Sequence, residues 1–360
     1  MNVDRTYRHN TCFSAPARRN RRHAPRAMKM APPFWYRLLV WGAFATYSSA
    51  NGIRVFALAL SSSAQSNSPR HQQLQSATSM VYEYVPSRVS LDDVTISYPE
   101  TLMGKLFSSV PKRKNAVDQI TISFGPDRSK GTNAVNGLPN DGDNMPTILV
   151  GRSASGKSTL LRLVSGEETP TSGTVAIEGL AEPIIIDRKP PLDDSKSVLG
   201  GIVAAPKDQQ RNNKSVEQVA LYFATTLGLT LDQLQSRPSN LSPSGQFLFG
   251  LACGCLCSVM PALPATVDSQ TVPDITERSL PGPILLLDEL LDFEHSDVVA
   301  KCCPGIGSLV QKTGAVVIVA THKPHHWEPL EIRRTVALSS GRILAEEVLE
   351  RGKSTTMIYK

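Results

Sequence analysis

The sequence predicts an α/β protein built on a buried parallel sheet, and three stretches carry that prediction. Thr147-Ile148-Leu149-Val150 is a short apolar run followed by Gly151-Arg152-Ser153-Ala154-Ser155-Gly156-Lys157-Ser158-Thr159 and then by the helix-like Leu160-Leu161-Arg162-Leu163-Val164. Pro283-Ile284-Leu285-Leu286-Leu287-Asp288-Glu289 and Gly314-Ala315-Val316-Val317-Ile318-Val319-Ala320-Thr321-His322 are unbroken aliphatic runs that end in polar residues. A parallel strand covered on both faces has no solvent side, so it appears as a continuous apolar run and not as an alternation.

In the first stretch, the order strand, glycine-bounded loop, helix makes GxxxxGK[ST] a phosphate cradle. Backbone N–H groups of the loop and of the helix N-terminus face an anion, and the glycines allow it to come close. Gly151, Ser153, Ser155, Gly156, Lys157, Ser158 and Thr159 are the candidate contacts. Lys157 is expected to reach the β- and γ-phosphates of a nucleotide and Ser158 to ligate Mg²⁺. Ligands of open α/β sheets lie at the carboxyl ends of the strands. Asp288, Glu289 and His322 stand at such ends, together with the loop. Asp288 is placed to hold Mg²⁺, the adjacent Glu289 to polarise an attacking water, and His322 to hydrogen-bond the γ-phosphate.

From the N-terminus, residues 1–33 are basic and lack apolar periodicity. Residues 1–30 carry Arg5, Arg8, Arg18, Arg19, Arg21, Arg22, Arg26 and Lys29 against one acid, Asp4. That segment accounts for the net charge of +6, so no basic nucleic-acid surface and no nucleic-acid partner are expected elsewhere. Residues 34–50 pair a short apolar core with a small-residue exit, Ser48-Ser49-Ala50, as in a signal peptide. Residues 51–78 hold Arg54 and Arg70 among Ser, Ala and Gln, without an acid, which is transit-peptide composition. Together, residues 1–80 resemble the two-part presequence of algae with complex plastids. The expectation is a plastid protein peripheral to a membrane; the secretory pathway and the cytoplasmic face of a membrane are the alternatives.

Ordered sequence is expected from about Val81. Val89 to Tyr98 alternates apart from the pair Asp92-Asp93, and Ala116 to Phe124 alternates up to Gly125-Pro126, which reads as two strands. Residues 127–145 are Gly-, Asn- and Asp-rich, a loop or insertion. Gly173 to Gly179 is turn, strand, turn; residues 181–200 are punctuated by Pro and Asp; and Gly201 to Ala205 is a short buried-strand candidate. Ser215 to Leu227 has helical spacing with Gly228 as its stop, and Leu231 to Leu234 is a second, short helix. Residues 258–282, rich in Pro, Ser and Thr, have the composition of an insertion. The six cysteines form no CxxC pair, so buried reduced thiols are expected, not a metal site.

These motifs, in this order, resemble the nucleotide-binding domain of ATP-binding-cassette (ABC) proteins over residues 88–345. Tyr98 resembles the aromatic residue that stacks on adenine. Pro170-Thr171-Ser172-Gly173-Thr174 is similar to the turn after the loop helix, Leu241-Ser242-Pro243-Ser244-Gly245-Gln246 to the LSGGQ signature, and Thr321-His322 to the switch histidine. The resemblance implies a RecA-like P-loop NTPase core, an antiparallel β subdomain and a helical subdomain at about 205–280, within an ATPase domain covering residues 81–360. It also implies Mg²⁺-dependent ATP hydrolysis with Glu289, His322 and Lys157 as catalytic residues. A second cassette is implied as partner, presenting Ser242, Ser244, Gly245 and Gln246 to the opposing ATP, with separate integral membrane subunits driven by the pair. Three positions depart from the pattern. Pro243 interrupts the signature, Ala204-Ala205-Pro206 stands where a glutamine is expected, with Gln209 or Gln210 as substitutes, and Leu290-Leu291-Asp292 replaces the usual spacing before the D-loop aspartate. A non-transport assembly ATPase with soluble partners, and the degenerate half of a heterodimer, remain open as alternatives.

Overall fold

The computed structural model describes residues 84–98, 114–126, 144–187, 192–206, 214–263, 279–292, 294–350 and 353–359. The expected presequence, residues 127–143, and Gln209 and Gln210 lie outside them. In chain order the strands are β1 (Tyr84–Val85), β2 (Arg88–Tyr98), β3 (Lys114–Phe124), β4 (Thr147–Val150), β5 (Ser172–Glu178) and β6 (Pro183–Ile186). They continue with β7 (Leu280–Pro281), β8 (Ile284–Asp288), β9 (Val316–Thr321), β10 (Arg333–Ser339), β11 (Arg342–Glu350) and β12 (Lys353–Ile358). The helices are α1 (Lys157–Ser165), α2 (Val198–Val203), α3 (Lys214–Thr226), α4 (Leu231–Gln235), α5 (Pro243–Val259) and α6 (Ser296–Thr313).

Among the described residues one sheet runs in the order β12-β11-β10-β4-β9-β8-β6. Its members from β10 to β6 are mutually parallel, and β11 and β12 extend it as antiparallel edge strands. The alternation of β8 explains why its sequence shows no polar face. Ile284 and Leu286 pack with Leu160, Leu161, Ile318 and Phe124 on one side, while Leu285 and Leu287 pack with Cys255, Leu256, Ile306 and Leu309 on the other. Both faces are covered, so both must be apolar.

A second sheet, β3-β2-β5, is antiparallel. Its strand β2 breaks register between Leu91 and Val94, and Asp93 takes a φ of 49°. The Asp92-Asp93 pair that interrupts the sequence alternation is therefore a bulge: it absorbs the extra residues and keeps Val89, Leu91, Val94 and Ile96 buried.

One expectation is corrected. Gly201 to Ala205 is not a strand, because Gly201, Ile202 and Val203 complete helix α2. Ser197 caps that helix by accepting a 3.2 Å hydrogen bond from the Gly200 N–H, and a Cβ on Gly201 would press on the Phe249 ring. A five-residue apolar run cannot distinguish strand from buried helix by period alone, and here close helix packing decides.

The two ends of the stretch 258–282 are structured. Ser258 and Val259 complete α5, Met260–Ala262 form a 3₁₀ turn, and Leu280–Pro281 pair with β1. Ser258 is fully buried because its hydroxyl donates to the Glu182 carbonyl at 2.6 Å and accepts from the Ile284 N–H at 2.9 Å. Residues 264–278 lie outside the described residues. The Pro-punctuated stretch 181–200 likewise contains β6, an edge strand beside β8 whose four residues end in the buried Ile186.

Candidate active site

The phosphate loop joins β4 to α1, and its backbone is shaped by glycine. A Cβ on Gly151 would fall on the Leu338 carbonyl and on the Ser155 side chain. Gly156 has a φ of 105°, and a Cβ there would fall on the Ala116 carbonyl. Ala154 also takes a positive φ, 60°. This alternation of backbone regions turns successive N–H groups toward one concavity, a nest for an anion. Gly156 is the N-cap of α1 and supplies no side-chain cap, so the helix dipole and its first donors point into that concavity. Gly341, in the β10–β11 turn, braces the loop from outside. Its N–H donates to the Ser155 carbonyl at 3.0 Å and its carbonyl accepts from the Asp118 N–H at 2.9 Å.

Lys157 is buried, and its ammonium donates to the Gly151 carbonyl at 2.9 Å. Burial pulls its pKa down, opposed by the charges of Glu289, Asp292 and Asp288. Its Nζ lies 3.4 Å from His322 Nε2. The same His322 nitrogen lies 2.7 Å from Glu289 Oε1, which assigns the proton to Nε2, since a carboxylate only accepts. Ser158 Oγ donates to Asp288 Oδ1 at 3.0 Å. Burial, then the neighbouring Glu289 charge, pushes the Asp288 carboxyl upward, while the Ser158 hydrogen bond pulls it down. A hydroxyl and a carboxylate side by side are a hard-oxygen donor pair, the type Mg²⁺ selects.

Glu289 sits in the left-handed region at a φ of 54°. Such a conformation costs a non-glycine residue about 1–3 kcal/mol and persists where surroundings impose it. Here the Glu289 N–H donates to the Ala320 carbonyl at 2.9 Å, and the Glu289 carbonyl accepts from the Asp292 N–H at 3.1 Å. Asp292 is buried and accepts from the Thr321 hydroxyl and, at 2.7 Å, from the His322 backbone N–H. One aspartate thus ties the turn after β8 to the end of β9.

The structure brings Lys157, Ser158, Asp288, Glu289 and His322 together and leaves the signature residues apart from them. Ser242 is the N-cap of α5, with Pro243 in its first turn. The Ser242 hydroxyl accepts from the Gly245 N–H at 3.2 Å and lies 3.1 Å from the Ser244 hydroxyl, and Gln246 Nε2 donates to the Leu241 carbonyl at 3.3 Å. None of these residues hydrogen-bonds the phosphate loop within the described chain. Tyr98 closes β2, 43% exposed, and its hydroxyl donates to Glu168. Glu168 and Gly341 escaped sequence reasoning. Glu168 is one of two acids in a turn with no periodicity, whereas Ser340-Gly341 between two strands is a turn signal that could have marked the brace.

Residues 143–256 match the ABC transporter family model, a stretch that includes the phosphate loop and most of α5. The glutamine transport ATP-binding protein GlnQ of Bacillus subtilis is 24% identical over 218 residues, covering 56% of this chain and 78% of that protein. The energy-coupling factor transporter ATP-binding protein EcfA of Syntrophomonas wolfei is 25% identical over 205 residues, covering 56% and 69%. Among solved structures, the dimeric ABC transporter cassette MJ0796 overlays with a TM-score of 0.45 at 17% identity, covering 73% of this chain and 99% of that one. The family match over residues 143–256, together with the geometry of the strand ends, shows an ATP-binding-cassette ATPase domain in this chain, similar to the ATP-binding subunits of ABC transporters.

Proposed function

We propose that this chain is the ATP-hydrolysing subunit of a transporter, pairing with a second cassette around ATP and energising separate membrane subunits. The observation that carries the reading is the cluster at the strand ends, where Glu289, His322 and Lys157 lie in sequence within 2.7 Å and 3.4 Å of one another beside the Ser158–Asp288 pair.

In this reading the loop N–H groups and Lys157 bind the triphosphate, and Ser158 and Asp288 would hold Mg²⁺, which would supply charge neutralisation at the phosphates. Glu289 orients and deprotonates the attacking water. His322 fixes the Glu289 carboxylate through Nε2–H and stands between it and the Lys157 cation. Asp292 is a positioning residue, because it holds the His322 backbone in place. The donors at the start of α5 would serve the ATP of a second cassette, since within one chain they do not reach the phosphate loop. ATP then favours a closed pair, hydrolysis releases it, and the alternation is a mechanical stroke. The relatives named as transport ATP-binding proteins support the membrane partnership. The composition of residues 1–80 supports a plastid location, peripheral to a membrane.

The test is Glu289→Gln in the full chain. ATP binding should persist while turnover falls by at least about a hundredfold, the scale of losing a general base, and the variant should accumulate as an ATP-dependent dimer. Undiminished turnover sinks the general-base assignment. A mild-detergent pull-down from native membranes tests the partnership: recovery of soluble proteins alone moves the reading to an assembly ATPase. A degenerate cassette stays as a second reading on one observation, the engagement of Ser242 with Gly245 next to a proline that offers no N–H.

A further inference from the structure

Tyr98 belongs to the antiparallel sheet, whereas the phosphate loop belongs to α1 and the parallel core. A nucleotide whose base rests on Tyr98 and whose phosphates rest on the loop therefore bridges two sheets, and the two share one apolar core with α1, in which Val94 and Ile96 lie with Leu160, Leu163 and Val164. The separation of base platform and cradle depends on what joins them. At this edge Thr95 pairs with Ser172, the Thr171 N–H donates to the Thr95 carbonyl at 2.8 Å, and the Ser97 N–H donates to the Thr171 hydroxyl at 3.1 Å. Among the described side chains, the direct link from the Tyr98 ring to the far side is through its hydroxyl. It donates to Glu168 Oε2, and Thr159, in the first turn of α1, also reaches the phenolic oxygen.

Glu168 is itself held. Gly166 ends α1 in the left-handed conformation, and the chain folds back so that the Glu168 N–H donates to the Arg162 carbonyl at 3.2 Å. Its other carboxylate oxygen lies 3.5 Å from Arg162 Nη1. The Glu168 side chain is 21% exposed against 52% for Arg162, so the carboxylate is the sheltered member. A phenol donating to a carboxylate is charge-assisted and stronger than a neutral pair. Glu168 also raises the Tyr98 pKa, after burial, which keeps the phenol protonated and donating.

We propose that Glu168 is the positioning residue of the nucleobase platform, locking the Tyr98 ring to the helix that carries the phosphate loop. The inference rests on the placement of the ATP phosphates proposed above and on the resemblance that puts the base on Tyr98. Its consequence is selective. Loss of the lock weakens binding of a ligand that has both base and phosphates and leaves a ligand made of phosphates alone untouched.

The experiment is calorimetric titration of the full chain with ATP and, separately, with inorganic tripolyphosphate, both with Mg²⁺. Tyr98→Ala should weaken ATP about tenfold or more, the scale of one base–aromatic stack. Glu168→Gln and Tyr98→Phe should each weaken it about three- to tenfold, the loss of one charge-assisted hydrogen bond. The double variant Tyr98→Phe, Glu168→Gln should be no weaker than either single one, because both remove the same interaction. Tripolyphosphate affinity should match the parent in all four. Parental ATP affinity in Glu168→Gln with a loss in Tyr98→Ala overturns the lock and spares the platform. Equal weakening of tripolyphosphate in Glu168→Gln also overturns it, by assigning Glu168 to α1 support. Parental affinity in Tyr98→Ala overturns the platform, and the inference with it.

Discussion

Helices α1 and α5 both begin at candidate anion contacts, and they begin differently. Helix α1 starts at Gly156, whose φ of 105° and missing side chain leave its first donors without a side-chain cap. Helix α5 starts at Ser242, whose hydroxyl already accepts from the Gly245 N–H, and Pro243 contributes no donor. The first helix is opened for a ligand by its own chain: Lys157, Asp288 and His322 surround it, and Gly341 braces its loop. The second satisfies itself locally and, among the described residues, does not hydrogen-bond the phosphate loop. A helix N-terminus becomes a strong anion site when the fold withholds its caps and supplies cations nearby. By that criterion α1 is a complete half-site, and α5 is a contact whose strength depends on what Ser242 and Pro243 release.

The largest expected effect breaks α1. Gly156→Ala combines a strained φ with a Cβ on the Ala116 carbonyl, and roughly 3 kcal/mol of strain should cost about two orders of magnitude in ATP affinity, read by calorimetry on protein whose circular dichroism is unchanged. A smaller effect sharpens the α5 side. Pro243→Ser restores one N–H in the first turn. In a Glu289→Gln background it should tighten the ATP-dependent dimer about fivefold, the worth of one hydrogen bond, measured by sedimentation. No tightening would mean that the α5 donors do not face the partner's nucleotide.

The smallest effect concerns the brace. Hydrogen bonds from Arg342, then from Asn115, hold the Asp118 carboxyl below its ordinary range. A lowered carboxylate pKa adds stability that is present above the unfolded-state value and lost as pH falls through the folded one. Because the pair is surface-exposed on the Arg342 side, Asp118→Asn should lower Tm by only about 2 °C at neutral pH. The difference should vanish in acid below the folded pKa, as followed by thermal melts across pH.

Much of the candidate site is legible in the sequence because its chemistry is bound to local pattern. Gly151 to Thr159 announce a loop between strand and helix, and Asp288, Glu289 and His322 mark where buried strands reach water. Elements lacking such a pattern are not legible. Pro183–Ile186 is too short and too closely followed by Pro and Asp to declare itself a sheet strand, and Gly201–Val203 fits two periods equally well. Ser258 sits in a Pro- and Ser-rich stretch, yet it is fully buried because two backbone groups distant in sequence satisfy its hydroxyl.

The sequence by itself determined the chemical identity of the parts: a phosphate loop, paired carboxylates, a histidine at a strand end, and a capped helix start carrying a proline. These follow from residue type and near-neighbour spacing, which set local backbone preference and proton chemistry. Only the tertiary structure decided which parts meet. The 2.7 Å contact of Glu289 with His322, the grip of Asp292 on the His322 backbone, the Gly341 brace and the Glu168 hold on Tyr98 all join segments far apart in the chain. Such contacts are set by strand order and by the packing of two sheets around α1, and no local preference encodes them.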